Sequence, residues 1–385
     1  MEAKEIIYLD HAATSWPKPK SVVQAVLESM SGVAGSPGRG THGMSLQAGR
    51  MMNKARMALS KLLGFSNPND VAFTNNATMA LNLAIKGLVK PGDHVITTML
   101  EHNSVRRPLE YLKRTSNIEV DYVPVEPSGE MDFQALKGLF RSNTRVVIAT
   151  HSSNLLGCIL SIRELAELAH EHGAVMLVDG AQTVGHYPIH AEDMKLDLLA
   201  FPGHKGLLGP QGTGGLYIHP EINLEPQMHG GTGSQSEQPE QPDIRPERYE
   251  AGTPNVPGIA GLAAGVEEIY KIGVEPIYNH EWTLTQQIIE GLQELKGIRI
   301  LGPKLGVART GIVSFVLENQ DPAQTAFELD RQYGIAVRAG YHCTPLGHES
   351  ACTLNTGAVR VSVGHTTEEQ EIDALLRAVY QLSQR

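Results

Sequence analysis

A single lysine in a glycine-rich segment is the residue of this chain whose setting most strongly indicates chemistry. Lys205 lies within LLAFPGHKGLLGPQGTGG, residues 198–215, just after an apolar run and with no acidic neighbour in sequence. An amine beside a buried strand end has a lowered pKa, which lets it attack an aldehyde and form a Schiff base. The alternative is an ordinary solvated lysine, because most lysines are exposed.

A carboxylate and a hydroxyl complete a pattern that one cofactor would explain. Asp179 ends the apolar run AVMLVD, and a buried carboxylate is costly without a cationic partner. The protonated ring nitrogen of pyridoxal phosphate would be such a partner, in the arrangement that makes this cofactor an electron sink. Thr78 starts a predicted amphipathic helix in 74–88, where free backbone N–H groups favour a phosphate. An ordinary helix N-cap is the alternative for Thr78.

Three apolar runs end abruptly in polar residues, as strands of a parallel sheet covered on both faces do. These runs are VVIAT (146–150), AVMLV (174–178) and LDLLAF (196–201). The segment SIRELAELAHEHG (161–173) between the first two has one apolar helical face, so the fold class is α/β. Ligands gather beyond the carboxyl ends of such strands, which predicts that Asn154, Asp179 and Lys205 converge on one pocket.

The glycines after Lys205 are also a feature of nucleotide-binding loops, which is an alternative interpretation of this segment. That motif places its lysine after the glycines and continues into a helix. Here the lysine comes first, and GGLYIH (214–219) has the pattern of a strand. A nucleotide-binding loop is therefore not expected.

The chain is predicted to form two domains. Residues 229–250 are polar and rich in Gly, Gln and Pro, which predicts a long mobile loop. The pattern beyond residue 260 changes to a smaller α+β arrangement. We expect a large domain with a mostly parallel sheet over 15–258. A small domain would comprise 259–385 together with the N-terminal 1–14.

Composition narrows the functional classes. The chain has 385 residues, 41% of them hydrophobic, and a formal net charge of −10. That charge argues against nucleic acid or an anionic membrane as the main partner. The chain has no uninterrupted apolar run of about 18 residues, so no membrane-spanning helix is predicted. Residues 1–20 lack the pattern of a signal peptide. Three cysteines, an odd and sparse number, favour free thiols in a reducing cytoplasm.

Cys343 is the cysteine with a setting suited to reactivity. It lies in AGYHCTPLGH (339–348), a segment too rich in Gly, His and Pro for a core, with His342 and Arg338 nearby to favour a thiolate. A small buried apolar role is one alternative. A zinc site is a second alternative, with His342, Cys343, His348 and Cys352 as candidate ligands. These residues lack the C-x2–4-C spacing that is usual for zinc. Packing is expected for Cys158, while resolving and structural roles are both open for Cys352.

Eight ordered motifs resemble the class V aminotransferases, within the fold-type I pyridoxal phosphate enzymes. The resemblance is closest to the cysteine desulfurases, in the SufS-like and selenocysteine lyase branch. The motifs are LDHAATS (9–15), NATMALNLA (76–84), EHNS (101–104), HSSNLLG (151–157), VDGAQTVGH (178–186), GHKG (203–206), YEAGTPN (249–255) and RAGYHC (338–343).

The resemblance implies a role for each matching residue around the cofactor. Lys205 would hold the cofactor as a Schiff base, Asp179 would pair with the ring nitrogen, and Gln182 would contact the ring hydroxyl. His102 would stack on the ring and assist proton movement. The phosphate would be bound at the helix start and by the residue before the lysine, namely Ala77, Thr78 and His204. Family members often have Ser where this chain has Pro202, so one phosphate contact is expected to be missing.

The resemblance also implies a substrate site and a shared dimer. Asn154 and Arg360 would hold the substrate carboxylate, Arg360 by a bidentate fork, with Ala13 beside them. Gly252 and Thr253 would reach the phosphate of the neighbouring subunit, which implies a homodimer.

The implied reaction is the desulfuration of L-cysteine to L-alanine, with a persulfide on Cys343 that passes to an unidentified acceptor protein or thiol. The compact segment from Cys343 to Arg360 resembles the short-loop branch, although ESACTLNTGAVRVS (349–362) departs from the SufS ending. The alternative is a selenocysteine lyase, or another class V lyase or aminotransferase, that does not require Cys343. A cofactor-free binding protein would leave Lys205 and Asp179 unexplained.

Overall fold

The computed structural model describes residues 6–33 and 35–384; residues 1–5 of the predicted small domain lie outside this description. Its strands are β1 (Ile7–Tyr8), β2 (Val71–Thr74), β3 (His94–Thr98), β4 (Glu119–Val123), β5 (Thr144–Thr150), β6 (Val175–Asp179), β7 (Leu198–Pro202), β8 (Gly214–Ile218), β9 (Ile298–Leu301), β10 (Ile312–Leu317), β11 (Ile335–Ala336), β12 (Arg338–Gly340) and β13 (Ala358–Ser362).

The helices fall between these strands and cover the sheets. They are α1 (Lys20–Gly32), α2 (Gly43–Leu63), α3 (Ala77–Leu88), α4 (Asn103–Ser116), α5 (Phe133–Leu139), α6 (Ile162–Glu171), α7 (Val256–Ile272), α8 (Val274–Gln293), α9 (Pro322–Glu328), α10 (Pro345–Ser350) and α11 (Glu369–Ser383). Among the described residues, no helix combines the length and apolarity needed to cross a membrane.

The larger sheet has seven strands in the order β2-β8-β7-β6-β5-β3-β4. Strands β4, β3, β5, β6 and β7 run parallel, and only β8 is antiparallel to both of its neighbours. The three apolar runs of the sequence form β5, β6 and β7, and apolar clusters pack on both faces of the sheet. The predicted α/β class with a mostly parallel sheet is therefore confirmed.

Helix α6 shows how the sequence builds the crossovers of this sheet. Its apolar positions Ile162, Leu165 and Ala169 recur at helical spacing and are buried. The chain then turns at Gly173, whose φ of +72° lies in the left-handed region that glycine adopts without strain. This short turn returns the chain to β6, so that β5 and β6 end at the same edge of the sheet.

A smaller antiparallel sheet, in the order β12-β13-β10-β9, packs against α8 and α11 around its own apolar core. Strand β1 pairs with β11, which brings the N-terminal segment to this part of the molecule. The predicted boundary at 258/259 falls inside α7, whose apolar side chains pack in the main core. We therefore place the division after α7 and retain the two-domain organisation as a proposal.

Candidate active site

A cavity of about 230 Å³ opens where β5, β6 and β7 end, beside the first turn of α3. It brings together eight of the predicted residues: Ala77, Thr78, His102, Asn154, Asp179, Gln182, His204 and Lys205. The other five predicted residues, Ala13, Gly252, Thr253, Cys343 and Arg360, do not line it. The convergence of Asn154, Asp179 and Lys205, predicted from strand direction alone, is what the geometry shows.

Lys205 follows β7 by three residues and points its amine into a poorly solvated setting. Burial, with a smaller contribution from the positive charge of Arg360, lowers the pKa of Lys205 to about 8, while Asp179 opposes the shift. A substantial fraction of the amine is therefore neutral near physiological pH. A neutral lysine amine is the form that condenses with an aldehyde.

Asp179 is the last residue of β6 and is almost fully buried. Its Oδ1 accepts a hydrogen bond of 2.9 Å from the N–H of Ala181, and burial raises its pKa. The N–H of Ala181 and the charge of Lys205 counteract that rise. A buried carboxyl that lines a cavity beside a lysine fits a cofactor whose ring nitrogen carries a proton.

The other end of the cavity is suited to an anion. Asn76 caps α3 by accepting a hydrogen bond from the N–H of Met79, 2.9 Å away. Ala77 and Thr78 form the first turn of that helix, where backbone N–H groups have no partner within the helix. His204 also lines the cavity, and its Nδ1 lies 3.0 Å from the hydroxyl of Thr14. Pro202, also in the wall, has neither an N–H nor a hydroxyl to donate.

His102 is the N-cap of α4 and has a neutral imidazole ring. Burial lowers the pKa of His102 to about 4, with Lys205 and Arg338 as further causes. Its Nδ1 accepts a hydrogen bond of 3.0 Å from the N–H of Ser104, so the proton of the neutral ring is assigned to Nε2. A flat, neutral and oriented ring is suited to stacking on a planar cofactor.

Cys343 lies on a tight turn over residues 341–344, closed by a 3.0 Å hydrogen bond from the N–H of Thr344 to the carbonyl of Tyr341. His342 and Cys343 have φ values of +50° and +58°. Two consecutive non-glycine residues in the left-handed region are unfavourable, at about 1–3 kcal/mol each. Contacts with the rest of the protein must therefore hold this turn in place.

Those contacts connect the turn to the edge of the large sheet. The N–H of Asn103 donates to the carbonyl of Cys343 at 2.8 Å, and the amide of Asn154 donates to the carbonyl of His342 at 2.6 Å. The hydroxyl of Thr344 lies 3.2 Å from the carbonyl of Leu100. The turn of Cys343 is thus bonded to Asn103, which follows His102, and to Asn154, which lines the cavity.

The thiol of Cys343 is half-buried, and its sulfur lies 3.7 Å from Nη2 of the positively charged Arg338. The expected help from His342 is not seen. Its ring is buried, with Nδ1 3.4 Å from Nε2 of His348, and burial lowers its pKa to about 2, so it carries no charge near the sulfur. Within residues 6–33 and 35–384, no group of three His, Cys, Asp or Glu side chains could hold a metal ion.

The other two cysteines differ in exposure. Cys158 is buried in the main core, and burial raises its pKa to about 12, in keeping with the expected packing role. Cys352 is exposed. It follows α10 in the sequence, whereas Cys343 precedes this helix.

Arg360 on β13 is buried and already bound to the protein. Its Nη1 donates to the carbonyl of Asn154 at 3.0 Å, and its Nη2 donates to Oδ1 of Asp10 at 2.8 Å. Its Nε is buried without a partner among the described residues. A guanidinium has five N–H donors, so Arg360 retains donors for a substrate carboxylate. No sequence pattern pointed to Asp10, which lies 350 residues away along the chain.

Ala13, Gly252 and Thr253 do not line the cavity in this single chain. The N–H of Ala13 donates to the carbonyl of Asp10 at 3.0 Å. Gly252 and Thr253 line a separate cavity of about 350 Å³ that begins beside the start of α3. A methyl group at Gly252 would meet no atom within 4 Å, so this position faces open space.

Glu101 is a further buried group that the sequence analysis did not single out. Its Oε1 accepts hydrogen bonds from the hydroxyl of Thr98 at 2.7 Å and the N–H of Thr150 at 2.9 Å. Its Oε2 is buried without a partner in the described part of the chain. Burial raises the pKa of Glu101 to about 8. Its only signal in the sequence was its place before His102.

The protonated state of Glu101 predicts a specific pH dependence of stability. Its pKa rises from 4.5 to about 8 on folding, so the native state binds the extra proton and stability falls as pH rises through this window. We expect Glu101→Gln to remove that part of the decline. Thermal melts from about pH 5 to about pH 9 would measure it. The exposed Glu349→Gln serves as control, and parallel curves for the wild type and Glu101→Gln would contradict the prediction.

The sequence of this chain is similar to that of known proteins. The family model for aminotransferase class V matches residues 7–375. A probable cysteine desulfurase of Methanothermobacter thermautotrophicus is 35% identical over 380 residues, covering 97% of this chain and 93% of the relative. A cysteine desulfurase of Escherichia coli O139:H28 is 33% identical over 389 residues, covering 98% and 93%.

Solved structures agree with these relatives. The apo structure of a cysteine desulfurase from Thermococcus onnurineus superposes with a TM-score of 0.92 at 32% identity, covering 98% of this chain and 95% of the other. The cysteine desulfurase CsdA from Escherichia coli, crystallised in an S-sulfonic acid form, gives a TM-score of 0.88 at 26% identity, covering 98% and 94%.

Proposed function

The chain belongs to the class V aminotransferase family, and from that premise we propose that it is a pyridoxal-phosphate-dependent cysteine desulfurase. It converts L-cysteine to L-alanine and holds the sulfur as a persulfide on Cys343. The observation that carries this proposal is the strained turn that holds Cys343 beside Arg338 and is hydrogen-bonded to Asn154, a residue that lines the cavity with Lys205 and Asp179.

The residues that line the cavity fit the cofactor. Lys205 would bind it covalently, Asp179 would pair with the ring nitrogen, and Gln182 would contact the ring hydroxyl. His102 would stack on the ring, and the phosphate would lie against Ala77, Thr78 and His204. When bound, the cofactor withdraws electrons from the substrate α-carbon and so makes its proton and its sulfur labile.

Lys205 would move the substrate proton. The free amine of Lys205 has a pKa of about 8, which suits a base that acts near neutral pH. It would take the α-proton of the substrate, and a proton would return as alanine forms. Arg360 and Asn154, with Ala13 nearby, would hold the substrate carboxylate and orient the Cα–H bond toward the amine.

Cys343 would accept the sulfur. Its thiolate attacks the sulfur of the substrate, an S–S bond forms, and the C–S bond breaks with its electron pair staying on the carbon fragment. Protonation of that fragment gives alanine, and Cys343 carries one extra sulfur atom. An acceptor thiol then removes this sulfur, so no external oxidant is needed.

We also propose that the active site is shared in a homodimer. The exposed face of α1 carries the apolar residues Val23, Leu27 and Met30, each more than half exposed in the single chain. A second copy would cover this face and bring its Gly252 and Thr253 toward the phosphate. We expect light scattering to give twice the chain mass of 41.7 kDa. Free thiols throughout favour the cytoplasm as the compartment.

The deciding experiment measures alanine release from L-cysteine by the cofactor-loaded protein, with L-selenocysteine and other amino acids in parallel. We expect alanine from L-cysteine together with a mass gain of one sulfur atom on Cys343. L-Selenocysteine is expected to react by the same route. Alanine from L-selenocysteine alone, or amino-group transfer without alanine release, would contradict the proposal.

A further inference from the structure

Ser104 connects the two ends of the cavity. It lies in the first turn of α4, is largely buried and lines the cavity. Its hydroxyl lies 2.7 Å from the hydroxyl of Thr78, at the anion end, and 2.8 Å from Nδ1 of His102, on the ring face.

The protons in this group can be assigned from the contacts. The N–H of Ser104 donates to Nδ1 of His102, so that nitrogen is an acceptor. The hydroxyl of Ser104 can therefore donate to His102 or to Thr78, but it cannot accept from the His102 ring. When Thr78 donates its proton to an anion, the hydroxyl of Ser104 supports the oxygen of Thr78, and linked hydroxyls of this kind strengthen one another.

A second residue of the cavity wall bears on the role of this hydroxyl. Pro202 ends β7, lines the same cavity and has neither an N–H nor a hydroxyl to donate. The cavity thus lacks a donor at the end of β7 and has one at the start of α4, the hydroxyl of Ser104.

We propose that Ser104 is a positioning residue for the bound cofactor: its hydroxyl orients Thr78 toward the phosphate, in a cavity where Pro202 offers no donor of its own. This inference rests on the proposed function, because it concerns the same site. It predicts that the loss of the Ser104 hydroxyl and the gain of a hydroxyl at position 202 are energetically coupled.

The test is a titration of the apo protein with pyridoxal phosphate, followed by absorbance, for Ser104→Ala in two backgrounds. With Pro202 present, we expect the dissociation constant to rise about tenfold, the effect of one lost hydrogen bond. In the Pro202→Ser background the rise should be about threefold or less. Ser104→Thr, which keeps the hydroxyl, should bind as the wild type does. Ser104→Cys, a weak donor of similar size, replaces Ser104→Ala if that variant does not fold.

Equal losses in the two backgrounds, or no loss in Ser104→Ala, would overturn the inference. So would a loss in Ser104→Thr equal to that in Ser104→Ala, because it would show that packing and not the hydroxyl matters. Failure of the proposed function would look different. The wild type itself would then bind no cofactor, or would bind it and release no alanine from L-cysteine.

Discussion

Replacing Lys205 by alanine is expected to abolish covalent attachment of the cofactor and to lower alanine release from L-cysteine by about 10³-fold or more. The physical reason is that Lys205 would serve twice, as the amine that binds the aldehyde and as the base that moves the α-proton. Among the residues that the structure describes, no other lysine lines the cavity. Borohydride reduction followed by peptide mass spectrometry should place the reduced cofactor on Lys205 in the wild type and nowhere in the variant.

Lys18 is the matched control for this prediction. Burial lowers its pKa to about 8 as well, and its Nζ lies 2.7 Å from the carbonyl of His204, next to Lys205 in sequence. It lies outside the cavity, so Lys18→Ala should keep the covalent label on Lys205. A label on Lys18, or a Lys205→Ala protein that still carries the cofactor covalently, would contradict the assignment.

The part of this site that the sequence predicted is the part governed by strand direction. Parallel strands end at one edge of a sheet, so the polar residues after β5, β6 and β7 must lie near one another. Asn154, Asp179 and Lys205 follow this rule. The rule is local, because each polar residue of the site can be recognised from the apolar run that it ends or follows in the sequence.

The features that sequence patterns missed depend on contacts between distant segments. Asp10 reaches Arg360 only because the N-terminal segment lies against β13. The turn that carries Cys343 owes its position to Asn103 and Asn154, which no spacing rule connects to it.

The neighbours of His102 were overlooked for a different reason. Glu101 and Ser104 look like ordinary polar residues at a helix start, where acids and serines are common. Only the packing shows that Glu101 is buried and that the Ser104 hydroxyl lies between Thr78 and His102. The EHNS motif thus contributes to the ring face, to the anion end and, through Asn103, to the turn of Cys343.

Replacing Cys343 by serine is expected to separate cofactor binding from sulfur transfer. Cys343 does not line the cavity that contains Lys205, so cofactor binding should be unchanged. The hydroxyl cannot accept sulfur, so no persulfide forms and alanine release from L-cysteine should fall by about 10²-fold or more. Serine also has nearly the size of cysteine, so the strained turn and its hydrogen bonds to Asn103 and Asn154 should persist. Alanine release and intact-protein mass spectrometry after a single turnover would measure the effect.

Cys352→Ser provides the matched control, because this thiol is exposed and lies in the same segment of the chain. It should retain both alanine release and the sulfur adduct on Cys343. Cys158 is expected to be inert, since burial raises its pKa to about 12 and keeps it as the thiol. Alanine release by Cys343→Ser at the wild-type rate would mean that sulfur leaves without a protein thiol. The turn that fixes residue 343 beside Arg338 would then need another explanation.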